Sequence, residues 1–96
     1  MAFSRVTALH AGLNSERFAG LLLYRRNTVL HPVAATVNCL LGCVLSGYTE
    51  PMPALIARAR AAIAELPGPP TPLRSEYMSV VDAYLEAVET EIGKAD

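Results

Sequence analysis

Cysteine is scarce in this 96-residue chain, tryptophan is absent, and charged side chains make up only 18% of it. The two cysteines, Cys39 and Cys43, are too few for a disulfide-stapled scaffold. Four residues apart on a helix, their Cα atoms stand about one turn from each other, a poor geometry for bridging. Eight basic and nine acidic residues leave a net charge of −1, so no overall field argues for a nucleic-acid partner. The six glycines are scattered and build no phosphate-cradling loop. At the N-terminus Arg5 stands alone with no uninterrupted apolar stretch behind it, which is not a secretory pattern. Together with the cysteine usage this leads us to expect a protein of the reducing cytoplasm. No internal repeat is present.

What the chain has in surplus is apolar side chain. Hydrophobic residues reach 52% and the mean hydropathy is +0.30, which excludes intrinsic disorder. The length allows one domain, residues 1–96, with one core.

Helix signals follow one another along the chain. Phe3 to Ala11 reads as a short helix stopping at Gly12, although Phe3, Arg5, Thr7 and Leu9 also alternate as a strand would. Asn14 or Ser15 is placed to cap a second helix, with Glu16 at the positive end of its dipole. That helix carries Phe18, Leu21 and Leu22 and runs towards Asn27. His31-Pro32 opens a third, since proline in the first turn forfeits no helical hydrogen bond, and Gly47 is its natural left-handed stop. Between them Val33, Ala34, Ala35, Val37, Cys39, Leu40, Leu41, Cys43, Val44 and Leu45 cover nearly the whole circumference, the pattern of a helix buried on most sides. Along one edge Asn38, Gly42 and Ser46 recur every four residues, small enough to let another backbone approach.

A fourth helix, 51–66, has Leu55, Ile56, Ala59, Ala62, Ile63 and Leu66 on its inner side. The proline-rich connector 67–72 then breaks the chain stiffly. Thr71 caps the last helix and Pro72 begins it. Tyr77, Val81, Tyr84, Val88 and Ile92 form its apolar stripe, with Glu76, Asp82, Glu86, Glu89 and Glu91 around the rest. The expected architecture is therefore all-α: a four- to five-helix bundle with helix 32–46 buried at the centre and the last two helices antiparallel.

Charge is segregated even though it nearly cancels. Residues 1–60 hold six arginines against Glu16 and Glu50, whereas residues 61–96 hold Arg74 and Lys94 against seven acids. Opposite fields within one small domain attract, so the two halves are expected to pack together.

No candidate chemistry survives its own requirements. Zinc wants four ligands, usually in two close pairs; Cys39, Cys43, His31 and His10 offer neither the spacing nor an open setting, and no metal or cofactor is expected. A reactive thiolate needs an electropositive, partly open environment, whereas both cysteines lie among leucines and valines and read as core filler. Glu86 and Glu89 read as a solvated helix face. Residues 27–49 lack any formal charge over 23 positions, a spanning length, but the densest apolar block is seven residues interrupted by Gly42, so a core helix is preferred to a membrane segment at 29–48. The small basic cluster Tyr24-Arg25-Arg26-Asn27 has no recognition helix to go with it. The tyrosines Tyr48, Tyr77 and Tyr84 are expected to pack with their hydroxyls reaching water.

The functional expectation is a non-enzymatic protein–protein interaction module, a small regulator, adaptor, chaperone or immunity-type inhibitor that pairs with itself as a homodimer. Arg25, Arg26, Arg58 and Arg60 are its candidates for recognising an acidic protein partner, with Tyr48 and Tyr84 as anchors. The alternative is a small-ligand-binding helical domain, with modest enzymatic activity as an option, whose pocket has His10, His31, Asn38 and Tyr48 as its polar groups.

Overall fold

Thr71 starts the longest helix of the molecule: its Oγ1 accepts from the backbone N–H of Arg74 at 3.2 Å, satisfying one of the donors a helix start leaves free. In the computed structural model, which describes residues 3–23, 30–66, 68 and 71–95, this helix is the last of five. They are α1 (Ser4–Leu13), α2 (Glu16–Leu23), α3 (His31–Ser46), α4 (Met52–Ala64) and α5 (Pro72–Ala95). The described residues contain no strand, and the all-α bundle stands. Residues 24–29, including Arg25 and Arg26, and positions 67, 69 and 70 of the connector lie outside the described residues.

Helix α5 is the spine. Tyr77, Val81, Tyr84, Leu85, Ala87 and Val88 are buried along it, against Val6 and Leu13 of α1, Phe18 of α2, Val33, Val37, Leu40 and Val44 of α3, and Met52, Ile56 and Ala59 of α4. The stripe read at helical spacing in the sequence is thus the stripe that forms the core. Phe18 meets Tyr77 edge-to-face with ring centroids 5.3 Å apart, an arrangement favoured by the ring quadrupoles. The Tyr84 hydroxyl donates to the carbonyl of Val37 at 3.1 Å. That bond ties α5 to α3 and satisfies a phenol that would otherwise be a costly buried donor.

Helix α1 runs through Gly12 to Leu13, two residues beyond the expected end at Ala11. Asn14 does not cap α2; its side-chain amide turns back to donate to the carbonyl of His10 at 3.1 Å. At the end of α3 Gly47 adopts φ 73°. There the N–H of Tyr48 donates to the carbonyl of Cys43 at 2.9 Å and that of Gly47 to Val44 at 3.3 Å, the paired closure that left-handed glycine permits.

Helices α4 and α5 run antiparallel, as expected. Pro53 and Ile56 share a cleft with Ile92 and Gly93, while Ile63 and Ala64 share one with Asp82 and Glu86. Between the two clefts Arg60 pairs with Glu89 at 2.5 Å. A second bridge, Arg17 to Glu76 at 2.5 Å, joins α2 to α5 and is forked, because Arg17 Nε also donates to the other carboxylate oxygen at 2.7 Å. Both bridges join an arginine of the basic half to a glutamate of the acidic half, which is the packing that the charge segregation implies.

Candidate functional site

One expectation about α3 is overturned. Its buried residues are Val33, Thr36, Val37, Leu40 and Val44, a single stripe, and the opposite side is open. Ala35, Asn38, Cys39, Gly42, Leu45 and Ser46 are all exposed. Leu45 stands 71% exposed and Tyr48, just beyond the helix, 57%; they are the exposed large hydrophobic residues among those described. The physical reason is coverage. α4 packs along one side of α3, α1 touches its flank and α5 reaches it through side chains such as Tyr84, which leaves no described helix for the far side.

The open face is neutral and internally satisfied. Ser46 Oγ donates to the carbonyl of Gly42 at 2.9 Å. His10 Nε2 lies 2.8 Å from Asn38 Oδ1, and the Asn14 amide nitrogen lies 3.1 Å from His10 Nδ1. His10, Asn14 and Asn38 therefore form a rim on the α1 side. The remaining surface is methyl, thiol, glycine and the Leu45 side chain, followed by the Tyr48 ring.

Gly42 is the odd residue of this face. It lies inside the helix, where glycine costs about 1 kcal/mol relative to alanine, and it does not need a positive φ. A Cβ built on it would meet nothing within 4 Å. The packing within one copy of the chain supplies no reason for its presence.

The other sequence-derived candidates scatter. Tyr84 is withdrawn as a surface anchor: it is fully buried, and its hydroxyl reaches Val37 rather than water. Burial, with a smaller contribution from the charge of Cys43, pushes its phenol well above the usual tyrosine range. Tyr77 is also buried and its phenol is raised by burial. Arg60 is occupied by Glu89, whereas Arg58 is exposed and has no carboxylate partner among the described residues. The polar set of the ligand-pocket alternative divides: His10 and Asn38 are bonded, but His31 and Tyr48 stand at opposite ends of α3. The reading of both sulfur atoms as core filler holds only in part: Cys43 is half-buried and packs against the core, whereas Cys39 is exposed.

Three of the clefts in the surface lie between packed helices. The best enclosed, about 280 Å³, lies between α1 and α5 and is lined by Arg5, Val6, Ala83, Glu86, Ala87, Thr90 and Glu91. Neither cysteine and neither histidine lines any of the three. Among the described residues no three of histidine, cysteine, aspartate and glutamate are placed to hold a metal ion. No described helix is long and apolar enough to cross a membrane.

Compared with protein-family models, characterised proteins and solved structures, the chain matches none. Function therefore has to be argued from the α3 face and its surroundings alone. The sequence had marked two parts of it, the Asn38, Gly42 and Ser46 edge and Tyr48. It missed Leu45 and Cys39, because an apolar residue in an apolar helix carries no sign of which side it faces.

Proposed function

We propose that this protein is a non-enzymatic docking module, a five-helix bundle that presents the outer face of α3, completed by Tyr48, to another protein surface. The observation that carries this reading is the exposure of two large hydrophobic residues close together in the chain, Leu45 at the end of α3 and Tyr48 just beyond it, in a stretch without formal charge. Covering a leucine is worth about 1.5–3 kcal/mol, and here that stabilisation is left for an encounter with something outside the chain. Tyrosine beside an aliphatic residue is a frequent centre of such contacts, with an apolar body and a hydroxyl that still reaches water. Arg58 on α4, exposed and without a carboxylate partner among the described residues, is available to an acidic group on a partner. The unbridged thiols support a reducing compartment, the cytoplasm, as the place of action.

The non-enzymatic part of this reading is argued from the distribution of reactive groups. A nucleophile needs a base within reach and a cleft to hold substrate, and the exposed thiol of Cys39 lines none of the clefts named above.

The test is a comparison of the wild type with Leu45→Asp and Tyr48→Ser as baits in native extract. Both variants are expected to keep helical content and melting temperature, because neither side chain belongs to the core, and to lose bound protein. Retained binding in both would refute the assignment of this face.

A further inference from the structure

Three features of the α3 face bear on what covers it. Gly42 lowers helix stability without serving any contact inside the chain; what a missing Cβ permits is close approach from outside. Bulk is distributed unevenly along the face, with Ala35 and Cys39 towards the N-terminal end and Leu45 and Tyr48 at and beyond the C-terminal end. Finally, residues 27–49 carry no formal charge, so this face can meet its own likeness without repulsion. The outer sides of α4 and α5, with Arg58 and with Asp82 and Glu86, cannot.

Resting on the docking reading above, we infer that the occupant is a second copy of this chain, the two α3 helices crossing antiparallel about a two-fold axis at Gly42. A two-fold contact is self-complementary by construction. Here it turns one helix end for end, so Leu45 of each copy settles over Cys39 of the other and Tyr48 lies beside Ala35: large on small at both ends, glycine on glycine in the middle. A 16-residue helix is only about 24 Å long. The contact accordingly falls at the small end of specific interfaces, below about 1,200 Å² in total, and the pair is reversible rather than permanent.

Sedimentation equilibrium and disulfide trapping test this together. The wild type is expected to show a monomer–dimer equilibrium. Gly42→Ala is expected to weaken pairing about tenfold or more while raising the melting temperature of the dilute protein by roughly 4–8 °C; a glycine with no role at an interface would give the second effect without the first. Leu45→Asp should abolish the dimer. Under mild oxidation, Leu45→Cys in a Cys43→Ser background should trap a covalent dimer through Cys39, and Ala61→Cys in the same background, placed on the outer side of α4, should not. A wild type that stays monomeric at about 1 mM, a Gly42→Ala dimer of unchanged strength, or equal trapping at position 61 overturns the inference. The two levels separate cleanly. A monomer whose capture of a different protein still depends on Leu45 sinks self-pairing and leaves the docking reading intact, whereas a dimer indifferent to Leu45→Asp sinks self-pairing through this face.

Discussion

Helix α3 is the most apolar helix of this protein and α5 among the more heavily charged, yet α5 is the one that the bundle closes around. α5 commits one stripe, Tyr77 to Val88, to the core and gives its acidic residues to solvent and to Arg17 and Arg60. α3 commits Val33, Val37, Leu40 and Val44 and leaves an equally uncharged side open. Apolar content and burial thus part company. A helix is buried where neighbours exist to cover it, and a chain with four other helices runs out of neighbours before it runs out of apolar surface. What remains uncovered in a small bundle is a place where function can be sought.

The sharpest way to break this contrast is to truncate one leucine in each helix. Leu85→Ala in α5 is expected to cost about 2–5 kcal/mol in chemical denaturation, through lost transfer energy and the cavity left behind. Leu45→Ala in α3 should change the stability of the dilute protein by no more than about 0.5 kcal/mol. Equal costs would mean that the α3 face is covered after all.

A smaller effect probes the bond between the two helices. Tyr84→Phe removes the hydroxyl that donates to Val37 and should cost about 0.5–1.5 kcal/mol. The same tyrosine sets the behaviour in alkali. Its phenol is raised in the folded state, so the stabilisation is complete below the ordinary tyrosine pKa of about 10 and declines as pH rises beyond it towards the folded-state value. A urea midpoint that falls above about pH 10 in the wild type, and falls less in Tyr84→Phe, is the expected pattern.

Thr71→Ala, which deletes the cap of α5, should cost about 1 kcal/mol by the same denaturation measurement. The smallest effect belongs to the Arg17–Glu76 bridge. The hydrogen bond from Arg17, opposed by a modest desolvation, holds the Glu76 carboxyl below its ordinary range. Its contribution is therefore present above that range and is lost as pH falls through the folded-state value. Both side chains are well exposed, so solvent screening keeps this slight. Acid titration of Glu76→Gln beside the wild type should show a small difference that vanishes at low pH.

Local signals were legible in proportion to how little they depend on neighbours. Pro32 in the first turn of α3, the left-handed stop at Gly47, and the Thr71-Pro72 start of α5 all act within a few residues, and each stands where the sequence placed it. The α5 stripe was legible because its acidic residues mark the outside. On α3 no charge marks either side, so Leu45 and Leu40 look alike in sequence although one faces solvent and the other the core. Tyr84 misled for the opposite reason: a tyrosine reads as amphipathic, and only the carbonyl of Val37, 47 residues away, lets its hydroxyl go inside. Of the site itself, the Asn38, Gly42 and Ser46 edge was visible as a run of small residues and Tyr48 as an anchor; the exposure of Leu45 and Cys39 was not.

The account depends most on the outer side of α3 being open to solvent in a single copy of the chain. Alkylation of Cys39 in the dilute native protein, followed by mass spectrometry and set against the same reaction in denaturant, measures that directly. The account predicts that Cys39 reacts in the native state at a rate close to that of the unfolded chain. Protection of Cys39 by several orders of magnitude in the dilute native protein would contradict it.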